Sequence, residues 1–287
     1  MANIVLSLAS GAARLIPMKI KRLIYRIPWL AGWLRGTLNR AAPSGLTEVK
    51  IAAGGLAGMR LLVDLQTEKD YWLGTYEPDL QVAIMDLVNP EMVAYDLGAN
   101  IGYMTLLLAK AVGTNGLVVA IEAFPENARR LAANIALNHM QERVRVIEAA
   151  VSDRSAPVQF RVGPSGKMGK IEGSAGRQDT IKAESINVQG YSLDDFVYRD
   201  DQPVPDVIKM DIEGGEVMAI PGMRRVLTQA RPLVLLELHG SESARVAWSE
   251  LRAAGYRLCY LKQGYGPITS QDELDWKTYL VAFPEAT

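Results

Sequence analysis

The sequence predicts an α/β fold: a doubly wound, mostly parallel sheet with an antiparallel edge hairpin, preceded by a basic amphipathic helical arm. Three observations carry this prediction. From Val93 onward short apolar runs alternate with segments of helical period, which marks strand, helix, strand units whose parallel sheet is covered on both faces. The turn after the first of these runs is rich in glycine. Residues 1–47 hold seven basic residues and no acidic one, although the whole chain is nearly balanced at 31 basic against 32 acidic. The remaining composition, 49% hydrophobic and 22% charged over 287 residues, is that of an ordinary globular protein and excludes disorder and collagen-like repeats.

Within the arm, Ile20, Leu23, Ile24 and Ile27 recur at helical spacing, and after Pro28 so do Leu30, Trp33, Leu34 and Leu38. Two short amphipathic helices follow, with Lys19, Arg22, Arg26 and Arg35 on their other faces. This pattern suits a helix lying in an anionic membrane surface, so residues 14–40 are expected to make peripheral contact there; the alternative is a cap docked on the main domain. Residues 1–16 carry no base ahead of their apolar part, and no apolar run reaches the ~18 residues of a spanning helix, so no export signal or membrane span is read. Cys259 is the one cysteine, which excludes an intramolecular disulfide and a Cys-based zinc cage. It fits a reducing, cytoplasmic location, peripheral at the inner membrane face if the arm binds lipid.

The arm spans residues 1–45 and the main domain residues 46–287. A connector containing Pro43, Ser44, Gly54 and Gly55 leads into a small strand or hairpin around residues 61–65. A helix over 78–88 is ended by Asn89-Pro90. Strands then fall at 93–97, 117–121, 144–148, 207–210 and 233–238, with helices at 103–112, 126–138 and 244–254 and a broken helix at 217–229. Residues 257–261 and 277–282 can pair as a closing antiparallel hairpin at the sheet edge. Six glycines within 163–190 mark a long excursion, read as a lid or acceptor-binding loop.

In open α/β sheets the ligand sits beyond the carboxyl ends of the strands, at the switch point. The first strand runs into Asp96-Leu97-Gly98-Ala99-Asn100-Ile101-Gly102. A nicotinamide or flavin site would carry G-x-G-x-x-G, but Asn100 stands at the middle glycine, and the P-loop pattern occurs nowhere. Asp96 would repel a pyrophosphate and suits a cationic ammonium or sulfonium. In Ile121-Glu122-Ala123-Phe124, about twenty residues on, Glu122 is placed to accept hydrogen bonds from both hydroxyls of a ribose. Lys209, Asp211 and Glu213 are spaced by two, as are Glu237 and His239, so each set faces one way if its strand persists. His139 follows a helix and reads as a C-terminal cap residue.

The turn 96–102, Glu122, the helix end Asn134-Ile135-Ala136-Leu137-Asn138, the stretch Ala149-Ala150-Val151-Ser152-Asp153 and the run Ile208-Lys209-Met210-Asp211-Ile212-Glu213-Gly214-Gly215-Glu216 resemble, in that order, the FkbM family of S-adenosylmethionine-dependent methyltransferases. The resemblance covers about residues 76–261. It implies a seven-stranded class I, Rossmann-like methyltransferase sheet and O-methylation of a hydroxyl on a sugar, glycolipid or natural product. Carried over, Asp96, Gly98, Asn100 and Gly102 hold the methionine part of the cofactor, Glu122 its ribose and Phe124 its adenine. Ser152 and Asp153 stand near the adenine amino group, and Glu77 resembles an upstream motif at the amino acid end; its alternative is a helix N-terminal acid. Ala123 stands where the family generally has proline.

The resemblance also makes the two last strands neighbours, which would gather Lys209, Asp211, Glu213, Glu237 and His239 beside the cofactor's methyl group, with Asp211 counted at both the catalytic and the cofactor end. His239 is expected to remove the acceptor's proton, ionising near neutrality, with Asp211 as the competing base or the group that orients it. A structural ion network of Lys209, Asp211 and Glu237 is the alternative, and the same carboxylates could hold Mg²⁺ or Ca²⁺, though no metal is favoured. The acceptor is expected to be a small molecule or a glycan- or lipid-linked group. An acidic domain excludes nucleic acid, and a homo-oligomer is left open. The competing functions are a nicotinamide-dependent reductase, which Asn100 argues against, and a cofactor-binding protein without catalysis.

Overall fold

The computed structural model describes residues 42–163, 169–175 and 185–285, with Gly11 and Gly36. The arm expected over 1–45 lies outside the described residues apart from those two glycines and residues 42–45. The chain divides into two units, residues 1–81 and 82–287.

In the first unit β1 (Leu46–Lys50) and β2 (Arg60–Asp64) form an antiparallel pair, Leu46 opposite Asp64 and Lys50 opposite Arg60. Leu61 and Val63 are buried while Arg60 is exposed, the period of two that a half-covered strand requires. A short helix, α1 (Lys69–Leu73), stops at Gly74, and α2 (Pro78–Leu87) begins in this unit.

The second unit is built on a seven-stranded sheet. Its strands are β3 (Val93–Leu97), β4 (Leu117–Glu122), β5 (Val144–Glu148), β10 (Val207–Met210), β11 (Leu233–Glu237), β12 (Tyr256–Tyr260) and β13 (Tyr279–Pro284), in the spatial order β12-β13-β11-β10-β3-β4-β5. β10 runs parallel to both β3 and β11, and β13 antiparallel to both β11 and β12. The central strands are apolar runs because both their faces are covered: α3 (Tyr103–Ala111) follows β3, α4 (Pro125–Leu137) follows β4, and α7 (Ser241–Ala253) follows β11. One core cluster joins Tyr95, Val119, Ile208, Met223, Leu236, Leu251 and Leu258, all buried. Chain order leaves the sheet outward through β3, β4 and β5 and returns to the other side at β10, so the switch point lies between β3 and β10.

The antiparallel edge hairpin forms as expected: β12 and β13 pair from Tyr256 opposite Pro284 to Tyr260 opposite Leu280, and β13 also pairs with β11, which leaves β12 outermost. The broken helix resolves into α6 (Glu216–Ala219), a 3₁₀ turn at Pro221–Met223 and a π-helical turn at Val226–Ala230, followed by Arg231 at φ 54.

Described parts of the glycine-rich excursion are strand and join a sheet with the segment before it. β6 (Ala150–Val151), β7 (Pro157–Val162), β8 (Gly169–Ile171) and β9 (Ser185–Tyr191) form a second sheet in the order β6-β9-β7-β8, and α5 (Leu193–Tyr198) follows it. Phe160, Ile171 and Val188 of this sheet pack with Ala150 and with Phe124 at the end of β4. The intervening residues 164–168 and 176–184 lie outside the described set.

Candidate active site at the sheet switch point

Residues from the ends of β3 and β10 meet backbone to backbone. A Cβ on Gly98 would lie 1.9 Å from the Asp211 carbonyl oxygen, and Gly98 has φ 78, so only glycine fits here. The turn beyond it is tied to β4 by the Gly98 and Ala99 N–H groups, which both donate to the Ile121 carbonyl. Asn134 of α4, fully buried, donates to the Ile101 carbonyl at 2.7 Å. Helix α3 then starts after Gly102, at φ 92.

Glu122 is the organising acid of this end. Its Oε2 accepts from the Asn100 N–H at 2.7 Å and its Oε1 from the Phe124 N–H at 2.9 Å. Burial raises its pKa; the two backbone bonds and the Lys209 charge pull the other way without cancelling the effect. A carboxylate has about four lone-pair sites, so each oxygen can accept one more bond. That set of acceptors fits a vicinal diol such as the ribose of S-adenosylmethionine. Ala123 and Phe124 continue from Glu122, with Phe124 buried at the N-terminus of α4. Ser152 is fully buried and donates to Asp153 Oδ1 at 3.1 Å, while Asp153 itself is exposed.

Two expectations at this end need correction. Asp96 does not present a carboxylate to a ligand: it is fully buried, Oδ2 accepts from Thr105 Oγ1 at 2.6 Å and Oδ1 lies 3.0 Å from Lys209 Nζ. Lys209 in turn donates to the Gly98 carbonyl at 3.0 Å. Lys209 does not share a face with Asp211 and Glu213, because β10 ends at Met210; it stands in register with Asp96 and braces the turn. Glu77 belongs to the other unit, at φ 41, and its carbonyl accepts from the Gln81 N–H.

On the other side of the switch point four carboxylates surround one imidazole. His239 Nδ1 lies 3.2 Å from Glu216 Oε1; its Nε2 lies 3.3 Å from Glu237, 3.6 Å from Glu213 and 3.8 Å from Asp211. Glu216, fully buried, also accepts from Ser243 Oγ at 2.9 Å. Glu216 was not foreseen as a site residue, although it closes the quoted run; its spacing from Glu213, three residues, was the available signal. Lys277 was missed too, and its Nζ lies 2.7 Å from Glu237 Oε1.

The electrostatics overturn the expectation of a near-neutral ionisation. Burial alone would drive His239 toward its neutral form, but the bonds to Glu216 and Glu237 and the charges of Glu216 and Asp211 outweigh it and push its pKa up to about 10. The ring is an imidazolium at pH 7. Burial likewise opposes ionisation of Glu237, yet His239 and Lys277 hold its carboxyl below the usual range.

The loop after β10 has a second close contact. Gly214, at φ 97, leaves no room for a Cβ, which would lie 2.0 Å from the Ala175 carbonyl oxygen, and the Ala175 N–H donates to the Gly214 carbonyl at 2.9 Å. Ala175 of the excursion therefore packs on the loop that carries Glu213 and Glu216.

Asp211, Glu237 and His239 bring ligand atoms within 4.8 Å of one another, a set that could hold a divalent metal. Glu237 is already matched by Lys277 and His239, however, and a metal would have to displace an ammonium. Chelation with EDTA is expected to leave turnover unchanged; loss of activity restored by Mg²⁺ would make these three residues metal ligands.

A family model described as the methyltransferase FkbM domain matches residues 96–258. Over 163 residues the chain is 27% identical to the hexuronic acid methyltransferase AglP of Haloferax volcanii, covering 57% of this chain and 62% of that protein. Similar solved structures include a methyltransferase FkbM from Methylobacillus flagellatus, 17% identical with a TM-score of 0.44, covering 87% of this chain and 58% of that one. An S-adenosylmethionine-dependent O-methyltransferase from Thermotoga maritima is 14% identical with a TM-score of 0.43, covering 74% and 66%.

Proposed function

Because the chain belongs to the methyltransferase FkbM domain family, we propose that it is an S-adenosylmethionine-dependent O-methyltransferase acting on a hydroxyl of a sugar, glycolipid or natural product. The observation that carries this reading is the meeting of two ends at one switch point: a diol-accepting Glu122 with its glycine turn, and the carboxylate–imidazole cluster, joined by the Gly98–Asp211 contact. The hexuronic acid in the relative's name puts a sugar first among acceptors. This chain spans 62% of that relative's length.

S-adenosylmethionine, when bound, supplies an electrophilic methyl group on a cationic sulfonium. In this reading Gly98, Asn100, Gly102 and Glu122 hold it, Ala123 and Phe124 line the adenine side, Ser152 and Asp153 stand near the adenine amino group, and Asp211 meets its amino acid end. Asp96 and Lys209 brace the turn from behind. The neutral form of His239, oriented at Nδ1 by Glu216, takes the acceptor's proton at Nε2, and Asp211, Glu213 and Glu237 stabilise the charge that results. Incubation with S-adenosylmethionine labelled in the methyl group and a panel of sugars tests the assignment directly: label is expected in the sugar, and calorimetry is expected to show S-adenosylmethionine binding with none of NADH.

We also propose that the arm holds the enzyme at an anionic membrane surface, supported by its seven bases without an acid. Among the described residues no helix is long and apolar enough to cross a membrane. Each surface base contributes about 1 kcal/mol near such a membrane, so replacing Lys19, Lys21, Arg22 and Arg26 by glutamine should weaken binding to phosphatidylserine vesicles by roughly 10² to 10³-fold. Cofactor affinity should not change. Equal sedimentation of the variant and the native protein would leave the arm as a docked cap.

A further inference from the structure

The ladder between β11 and β13 runs past the ends of both strands. Glu237 stands opposite Tyr279, the Leu238 N–H donates to the Thr278 carbonyl at 2.9 Å, and the Gly240 N–H donates to the Trp276 carbonyl at 2.9 Å. The same register thus carries Trp276 to the residue after His239. Its chain neighbour Lys277 reaches Glu237 inside the cluster.

The turn that presents Trp276 is tied by three hydrogen bonds. The Asp275 N–H donates to Thr278 Oγ1 at 2.9 Å, Thr278 Oγ1 donates back to Asp275 Oδ1 at 2.6 Å, and the Lys277 N–H donates to Asp275 Oδ1 at 3.1 Å. Of the three tryptophans among the described residues, Trp72 is buried and Trp248 half-buried, whereas Trp276 is 49% exposed. A large aromatic left half in water on a pinned turn has lost little further freedom to give up on binding, which is what a preorganised contact surface needs. Its flat π face matches the apolar C–H face of a pyranose ring, while a sugar's hydroxyls remain free to hydrogen-bond at the ring's edge.

Charge narrows the acceptor further. Asp211, Glu213, Glu216 and Glu237 face His239 and Lys277, so the cluster is net negative whichever charge His239 carries. A carboxylate on the acceptor would be repelled there.

We propose that Trp276 is the platform on which the ring of an uncharged or cationic sugar stacks to bring a hydroxyl to the His239 cluster. This deepens, and rests on, the sugar-methyltransferase reading. Trp276 is here a specificity-determining residue that binds the acceptor and takes no part in proton transfer.

Saturation-transfer NMR on the full chain with bound S-adenosylhomocysteine tests it, with methyl β-glucopyranoside, glucosamine and glucuronate as probes. Saturation should reach the ring C–H protons of the first two probes and little of the third. Trp276→Ala should weaken methyl glucopyranoside at least tenfold, Trp276→Phe should retain most of the affinity, and both variants should bind S-adenosylhomocysteine as the native protein does. Equal affinity of Trp276→Ala and the native protein for the glucoside would overturn the platform while the sugar reading stood. Tighter binding of glucuronate than of the glucoside would overturn the charge selection. Failure of all three probes with the native protein would overturn the platform together with the sugar reading.

Discussion

Replacing His239 by alanine is expected to lower kcat by about 10² to 10⁴-fold, the usual contribution of a positioned base. The pH dependence carries the sharper signature. With the pKa pushed up to about 10, the ring keeps its proton through neutrality, and the fraction able to accept one grows tenfold for each pH unit below that value. In the native enzyme kcat/KM should therefore climb steadily from pH 7 to 9 without a plateau near 7, and the climb should vanish in His239→Ala. Glu216→Gln removes the charge facing Nδ1 and should move the rise to lower pH. The same shift makes a stability statement. Since the folded value lies above the unfolded one, the cluster's contribution is complete below about 6.5, the ordinary histidine value, and is lost as pH rises through about 10. A rate that is flat with pH and unchanged in His239→Ala would pass the proton to Asp211 or leave positioning alone to carry the reaction.

Replacing Glu122 by alanine should affect binding and folding together. Charge-assisted hydrogen bonds contribute about 1.5–3 kcal/mol each, so losing those to the ribose should weaken S-adenosylmethionine at least tenfold. The Asn100 and Phe124 N–H groups lose their acceptors at the same time. At about 1–3 kcal/mol for each of the two stranded donors and about 2–4 °C per kcal/mol in a domain of this size, Tm should fall by roughly 4–24 °C. Glutamine should not rescue the site, because its amide nitrogen would meet an N–H donor. Burial holds the Glu122 pKa up, so cofactor affinity should begin to fall on acidification at a pH above that of an ordinary carboxylate. Calorimetry showing an unchanged Kd in Glu122→Ala would remove this residue from the ribose.

The central strands were legible because strands buried on both faces read as unbroken apolar runs; Val93–Leu97, Leu117–Glu122 and Leu233–Glu237 are such runs, and Gly98 and Pro125 punctuate the turns between them. β7 and β9 were not, since their residues are mostly exposed or half-buried, glycines interrupt the segment, and each strand draws its support from a partner distant in the chain. At the site the residue types were legible and their partners were not. A spacing of two grouped Lys209 with Asp211 and Glu213, but that argument holds only while the strand lasts; Glu213 already sits at φ 53. Register then decides in favour of Asp96. Glu216 and Lys277 converge on His239 and Glu237 from a four-residue helix and from the turn before β13, a meeting that no local pattern encodes.

The insertion of β13 between β11 and β12 sets an order of assembly. β11 and β12 touch β13 and not each other, so the sheet cannot close by adding neighbours in chain order; it must hold a gap until β13 arrives. Pairings of such long sequence separation are slow to form, and the unfilled gap exposes two strand edges meanwhile. The same late segment delivers Lys277 to Glu237, so the buried carboxylates lack that counter-charge throughout synthesis. Filling that gap with β13 thus completes the sheet and brings Lys277 to the carboxylate cluster in the same step, and a chain that lacks it is adhesive at two strand edges.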